Sequence, residues 1–103
     1  MKQIINGKTY NTETATLLGE YWNGCSRSDF GFLSEDLYRT QKGAYFIAGE
    51  GGAMTKYCRS CGNNSFCGGE RITPITEAEA KEWMEEHCSA EKYIQAFGEP
   101  EEA

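Results

Sequence analysis

The 103-residue sequence has one histidine and nowhere a run of about 18 consecutive apolar residues, and each shortage removes a class of protein. Without such a run, no segment reads as a membrane span. The start, Met1-Lys2-Gln3-Ile4-Ile5-Asn6-Gly7, also lacks the ~7–15 apolar residues of a secretion signal, so the expectation is a cytoplasmic chain with reduced thiols. The lone histidine, His87, follows Trp83 in a helical pattern, and no nucleophile–base–acid triad can be argued around it. Ser26, Ser28 and Asp29 cluster without it and read as a turn. Gly49-Glu50-Gly51-Gly52 lacks the Gly-x-Gly-x-x-Gly frame and no Lys-Ser or Lys-Thr follows, which argues against a phosphate cradle. Apolar side chains are sparse as well, at 39% of residues, and twelve glycines dilute the core further.

Positive charge is short too. The net charge is −6, and the acids concentrate in the last quarter, where Lys81 and Lys92 face nine glutamates from Glu77 to Glu102. Such a chain is a poor binder of nucleic acid, whose phosphates demand cations, and a plausible ligand for a basic protein. The length suits one domain, read as residues 1–98 with an acidic tail at 99–103.

What the chain does have is turn chemistry, aromatics and five cysteines. Asn6-Gly7 between Gln3-Ile4-Ile5 and Lys8-Thr9-Tyr10 predicts a hairpin. Asn11 or Thr12 could cap a short helix to about Glu20, with Ala15, Leu18 and Trp22 at helical spacing. Asp36–Thr40 and Ala44–Ala48, joined by Gln41-Lys42-Gly43, predict two more strands, and residues 70–75 an edge strand because Pro74 cannot donate to a ladder. Thr76-Glu77-Ala78-Glu79 is a capping box opening a helix to His87 or Cys88, and Ser89 caps a second from Ala90 to Phe97, stopped by Gly98. The expected fold class is α+β: a small antiparallel sheet with two or three helices and a zinc-knuckle loop.

The knuckle is Cys58-Arg59-Ser60-Cys61-Gly62, with Cys67 six residues after Cys61. A C-x-x-C turn points two sulfurs at one centre, and soft thiolates suit a closed, tetrahedral, structural Zn²⁺. An odd number of cysteines in a reduced compartment also favours ligation over a disulfide framework, with unligated cysteines in a reduced loop and a redox dithiol as the other readings. The long stretch 49–69 would then be organised by metal. Cys58, Cys61 and Cys67 supply three ligands. Cys25, in a polar loop after Asn23-Gly24, is preferred as the fourth over Cys88 and His87, since Cys88 falls on the apolar stripe of its helix and His87 suits a helix C-terminus. Four sulfur ligands leave no open position for water, so an enzyme is not expected.

The run from Asn6 to Ala15, then Ser28-Asp29-Phe30, Leu37-Tyr38-Arg39-Thr40, Gly43, Gly49-Glu50-Gly51-Gly52-Ala53, Lys56-Tyr57 and Ile75 to Trp83, resembles small proteins encoded by phages and mobile elements of Gram-positive bacteria. The similarity spans residues 2–88. It implies no catalytic residues, and it implies a cytoplasmic location in a bacterial host. A small, acidic, zinc-bearing member of that group resembles an anti-CRISPR protein, which implies a monomer that binds the type II effector nuclease Cas9 stoichiometrically. The alternative expectation is a zinc-stabilised adaptor that binds another phage or host protein through its aromatics.

Overall fold

A computed structural model describes residues 1–63 and 65–103. The architecture is α+β, with antiparallel sheets and two helices. Strands β1 (Lys2–Ile5) and β2 (Lys8–Asn11) form the first hairpin. Asn6 and Gly7 both take positive φ, 51° and 76°, the mirror-image turn whose twist matches paired strands.

The main sheet runs in the order β3 (Thr16–Trp22), β4 (Leu33–Arg39), β5 (Tyr45–Gly51), β8 (Gly69–Ile75), antiparallel throughout. Between β5 and β8 the chain makes a two-stranded ribbon, β6 (Arg59–Gly62) and β7 (Ser65–Cys67). Pro74 does sit on an edge strand, paired on one side only, with Phe46. Helix α1 (Glu77–His87) opens with the capping box: the Glu79 amide donates to Thr76 Oγ1 at 3.1 Å, and the Thr76 amide donates to Glu79 Oε1 at 3.0 Å. Helix α2 (Ala90–Phe97) follows, capped by Ser89 and closed by Gly98 at φ 86°.

The helix expected from Asn11 or Thr12 to about Glu20 is a correction: residues 12–15 form a turn and Thr16–Trp22 is strand β3. The Asn11 side chain accepts from the Glu13 amide at 3.0 Å to make a turn, so it does not cap a helix. Thr16 and Gly19 are weak helix formers, and pairing with β4 outweighs a helical spacing of three apolar residues. The three do not share a face in the structure: Ala15 packs on the hairpin side, Leu18 on the helix side, and Trp22 is exposed, while the register shifts between Leu17 and Gly19. Gly19 also lets α1 lie close, for a Cβ there would be 2.7 Å from Cys88 Sγ and 2.9 Å from Met84 Sδ. The stretch 49–69 is a second correction, since β5, the β6–β7 ribbon and β8 take up much of it.

Side chains of the sheet alternate between two apolar layers. On one face Leu37, Tyr45 and Ile47 pack against Ala80, Trp83 and Met84 of α1, with Tyr93, Ala96 and Phe97 of α2 alongside. On the other, Phe46, Ala48 and Ile72 are covered by Tyr10 and Ile5 of the first hairpin. The Gln3 side chain accepts from the Ile72 amide at 3.1 Å, tying that hairpin to the free edge of β8. Among the described residues no helix is long and apolar enough to cross a membrane.

Candidate functional site

Both layers run out before the sheet does. The strand ends at Trp22, Leu33, Gly51 and Gly69 extend beyond them, and the glycine-rich segments finish the structure there. Gly49 and Gly51 lie on the helix-side face of β5, in register with Glu35 and Leu33. The turn after β5 folds back over them, with Thr55 Oγ1 donating to Gly52 O at 2.8 Å and the Cys58 amide donating to Thr55 O at 3.0 Å. This lays the Tyr57 ring on Gly49. Gly49-Glu50-Gly51-Gly52 therefore serves close backbone packing, in keeping with its lack of a phosphate-binding frame.

Under Tyr57 sits Glu35, the one buried charged side chain among the described residues. Its Oε1 accepts from Trp83 Nε1–H at 3.1 Å, and its Oε2 accepts from the Tyr57 hydroxyl and meets Lys56 Nζ at 2.7 Å. Burial pushes the Glu35 carboxyl up, but the donors Lys56, Tyr57 and Trp83 outweigh it and hold it below its ordinary value. Burial and the adjacent carboxylate raise the Tyr57 hydroxyl, so it stays protonated. The cluster ties β4, the turn and α1 together through three donors on one carboxylate. Sequence reading missed it, although Glu35 shares the apolar face of its strand with Leu37.

The opposite face carries acid. Glu20 pairs in register with Asp36, and Ser34 with Glu50, which pairs with Glu70, so four strands each present a carboxylate there. Burial, then Glu20 and Glu50, push the Asp36 carboxyl up. Arg27 reaches in from the loop after β3 to Glu50 at 2.7 Å. Beside it lies an open cleft of about 630 Å³ between residues 27–32 and the β6–β7 ribbon, lined by Arg27, Phe30, Phe32, Arg59, Phe66 and Cys67. Trp22, Phe30, Met54 and Phe66, all at this end of the molecule, are each at least 60% exposed.

Of the four predicted zinc ligands, the structure brings two together. Cys61 and Cys67 face each other across the ribbon with their sulfurs in bonding contact and their Cα atoms 5.9 Å apart. Cys58 is half-buried at the foot of β6. Cys25 lines a separate hollow with Trp22, Arg27 and Phe32. Among the described residues no three His, Cys, Asp or Glu side chains are gathered as a metal-holding group. The donor chemistry of Cys58, Cys61 and Cys67 suits Zn²⁺, and they share one short segment, but gathering them needs the Cys61–Cys67 pair to open. Cys88 packs on the main core with its sulfur against Gly19, and burial raises its thiol. The His87 ring packs tilted against Tyr21, with ring centres 4.1 Å apart. Both side chains thus have structural work at the end of α1.

Comparison with protein-family models, with curated proteins and with solved structures finds no match.

Proposed function

We propose that the chain is a stoichiometric protein-binding domain that uses negative charge, and that its target is a nuclease with a cation-lined nucleic-acid channel, Cas9 in particular. The observation that supports this is α1: Glu82, Glu85 and Glu86 are all exposed, and none lies in a salt bridge with Lys or Arg among the described residues. Glu82 and Glu86, one turn apart, share a face with Glu79. Such a surface can occupy a channel lined by Lys and Arg. The triple charge reversal Glu82→Lys, Glu85→Lys, Glu86→Lys should abolish inhibition of guide-loaded Cas9 while changing stability by no more than ~0.5 kcal/mol per site. The measurement is DNA cleavage against protein concentration at two salt levels. Inhibition that survives the reversal removes the electrostatic mechanism, and a wild-type chain that inhibits no Cas9 removes the target.

Zinc belongs to the same reading as a structural ion on the reduced thiols of Cys58, Cys61 and Cys67, with Cys25 as the fourth ligand. Elemental analysis of protein purified under reducing conditions should give about one zinc per chain. A metal-free chain whose thiols all react natively would remove the ion.

A second reading, an adaptor that binds through aromatics, is favoured by the exposed Phe30 and Phe66, which line the cleft, and by the exposed Trp22. Added salt separates the two, since screening weakens a charged contact and leaves aromatic packing intact.

A further inference from the structure

The β6–β7 ribbon is the least supported part of the fold. Its strands have four and three residues, none of them buried. A two-stranded ribbon of that size is marginal in water without another constraint. Among the described residues, besides the backbone pairing of the two strands, the Arg59 side chain donates through Nε–H to Gly68 O at 3.2 Å and the Cys61 and Cys67 sulfurs meet across the strands. The 5.9 Å between their Cα atoms lies within the range a disulfide spans without backbone movement. Cys61 is exposed, which gives small oxidants and thiols a path to the pair. The ribbon is also one wall of the cleft, through Arg59, Phe66 and Cys67.

We propose that Cys61 and Cys67 are a reversible dithiol–disulfide couple that sets whether the ribbon stands as a fixed wall of the cleft. The oxidant class is a low-molecular-mass disulfide. One of the two thiolates attacks it, forming a mixed disulfide and expelling one small thiolate. The second cysteine thiolate then attacks the protein sulfur of that mixed disulfide, closing the Cys61–Cys67 bond and expelling the other small thiolate. Two electrons pass to the oxidant, and the two cysteine protons end on the two small thiols. Reduction runs the same steps backwards and frees both sulfurs. The couple stands on the ribbon geometry and does not require the metal. Where zinc binds the reduced thiols, oxidation would also withdraw two of its ligands.

The test uses the full chain, metal-free, equilibrated with excess glutathione disulfide or with dithiothreitol. Intact mass, alkylation mapped by peptide, and amide hydrogen exchange are read on both samples. The oxidised chain should weigh about 2 Da less, from loss of two thiol hydrogens, with Cys61 and Cys67 protected from alkylation and Cys58 still reactive. On reduction, exchange at the amides of Arg59–Gly62 and Ser65–Cys67 should quicken by roughly tenfold or more while α1 is unchanged. The double variant C61S/C67S should exchange like the reduced chain under both conditions, and because reduced wild type is measured alongside, a misfolded variant costs the test nothing. Protection of a different pair, free Cys61 and Cys67 in excess glutathione disulfide, or ribbon exchange that ignores redox state would each overturn the proposal. The zinc reading is judged separately, by metal content of the reduced chain.

Discussion

Glu35→Ala should lower folding stability by about 3 kcal/mol or more, a fall in melting temperature of at least ~10 °C for a domain of this size. The carboxylate is 3% exposed at the side chain and accepts from Trp83 Nε1–H and the Tyr57 hydroxyl, neither of which has another hydrogen-bond partner among the described residues. Truncation leaves two buried donors unsatisfied, at ~1–3 kcal/mol each, and a void between β4 and α1. Lys56 is 58% exposed, so its ammonium returns to water and its loss adds little. Lys56→Met should therefore cost under ~1 kcal/mol, and Glu35→Gln should fall between the two. The same carboxylate gives a pH signature. Its folded pKa lies below the ordinary value of 4.5, so its stabilisation is present above 4.5 and is lost as pH falls from there through the lower folded pKa. Thermal melts by tryptophan fluorescence between pH 7 and pH 3 should show wild type losing more of its advantage over Glu35→Gln as acid is added. An alanine variant that melts within ~2 °C of wild type would remove the cluster from the list of what holds the fold.

That cluster shows what the sequence leaves hidden. Signals carried by neighbouring residues were readable: Asn6-Gly7 as a hairpin turn, Thr76 with Glu79 as a capping box, Pro74 as an edge-strand mark. Each depends on backbone chemistry within a few residues. The Thr16–Trp22 strand was misread for the opposite reason, because its state is set by pairing with Leu33–Arg39 across a bulge, and its apolar spacing mimics a helix. Glu35, Lys56, Tyr57 and Trp83 lie up to 48 positions apart, and only the register that stacks Glu35 beside Gly49 brings them together. One local clue was available, an acid at a strand position whose neighbours two residues along face the core. For the cysteines, the sequence pointed to Cys58, Cys61 and Cys67 in one loop with Cys25 from another, and the structure pairs only Cys61 with Cys67 and leaves Cys25 in a separate hollow. Which partner each sulfur takes depends on redox state and metal, which residue spacing does not encode.

Gly49→Ala should match the Glu35 change in size, about 3 kcal/mol, although it adds a single methyl to a strand that would otherwise welcome it. A Cβ at Gly49 would fall 2.0 Å from the Tyr57 hydroxyl oxygen and 2.1 Å from its Cζ, contacts that cannot exist. Tyr57 is 4% exposed and boxed in by Glu35 below and by the Arg71 guanidinium, 5.1 Å from its ring centre. The ring cannot slide aside while keeping its hydrogen bond. Either β5 bends away, straining pairs on both sides of it, or Tyr57 leaves, exposing its ring and orphaning part of Glu35. Gly43→Ala sets the scale for a glycine held only by its dihedral: at φ 90° with nothing within 4 Å of the new methyl, it should cost about 1 kcal/mol. A double-mutant cycle isolates the cause. In a Tyr57→Ala background the obstruction is gone, so adding Gly49→Ala should cost little, with a coupling energy of roughly 2 kcal/mol or more between the sites. Urea titration of the four proteins at 10 °C gives the cycle. Additive costs would mean that Gly49 is required by the strand itself, and that the Tyr57 ring does not depend on the space it leaves.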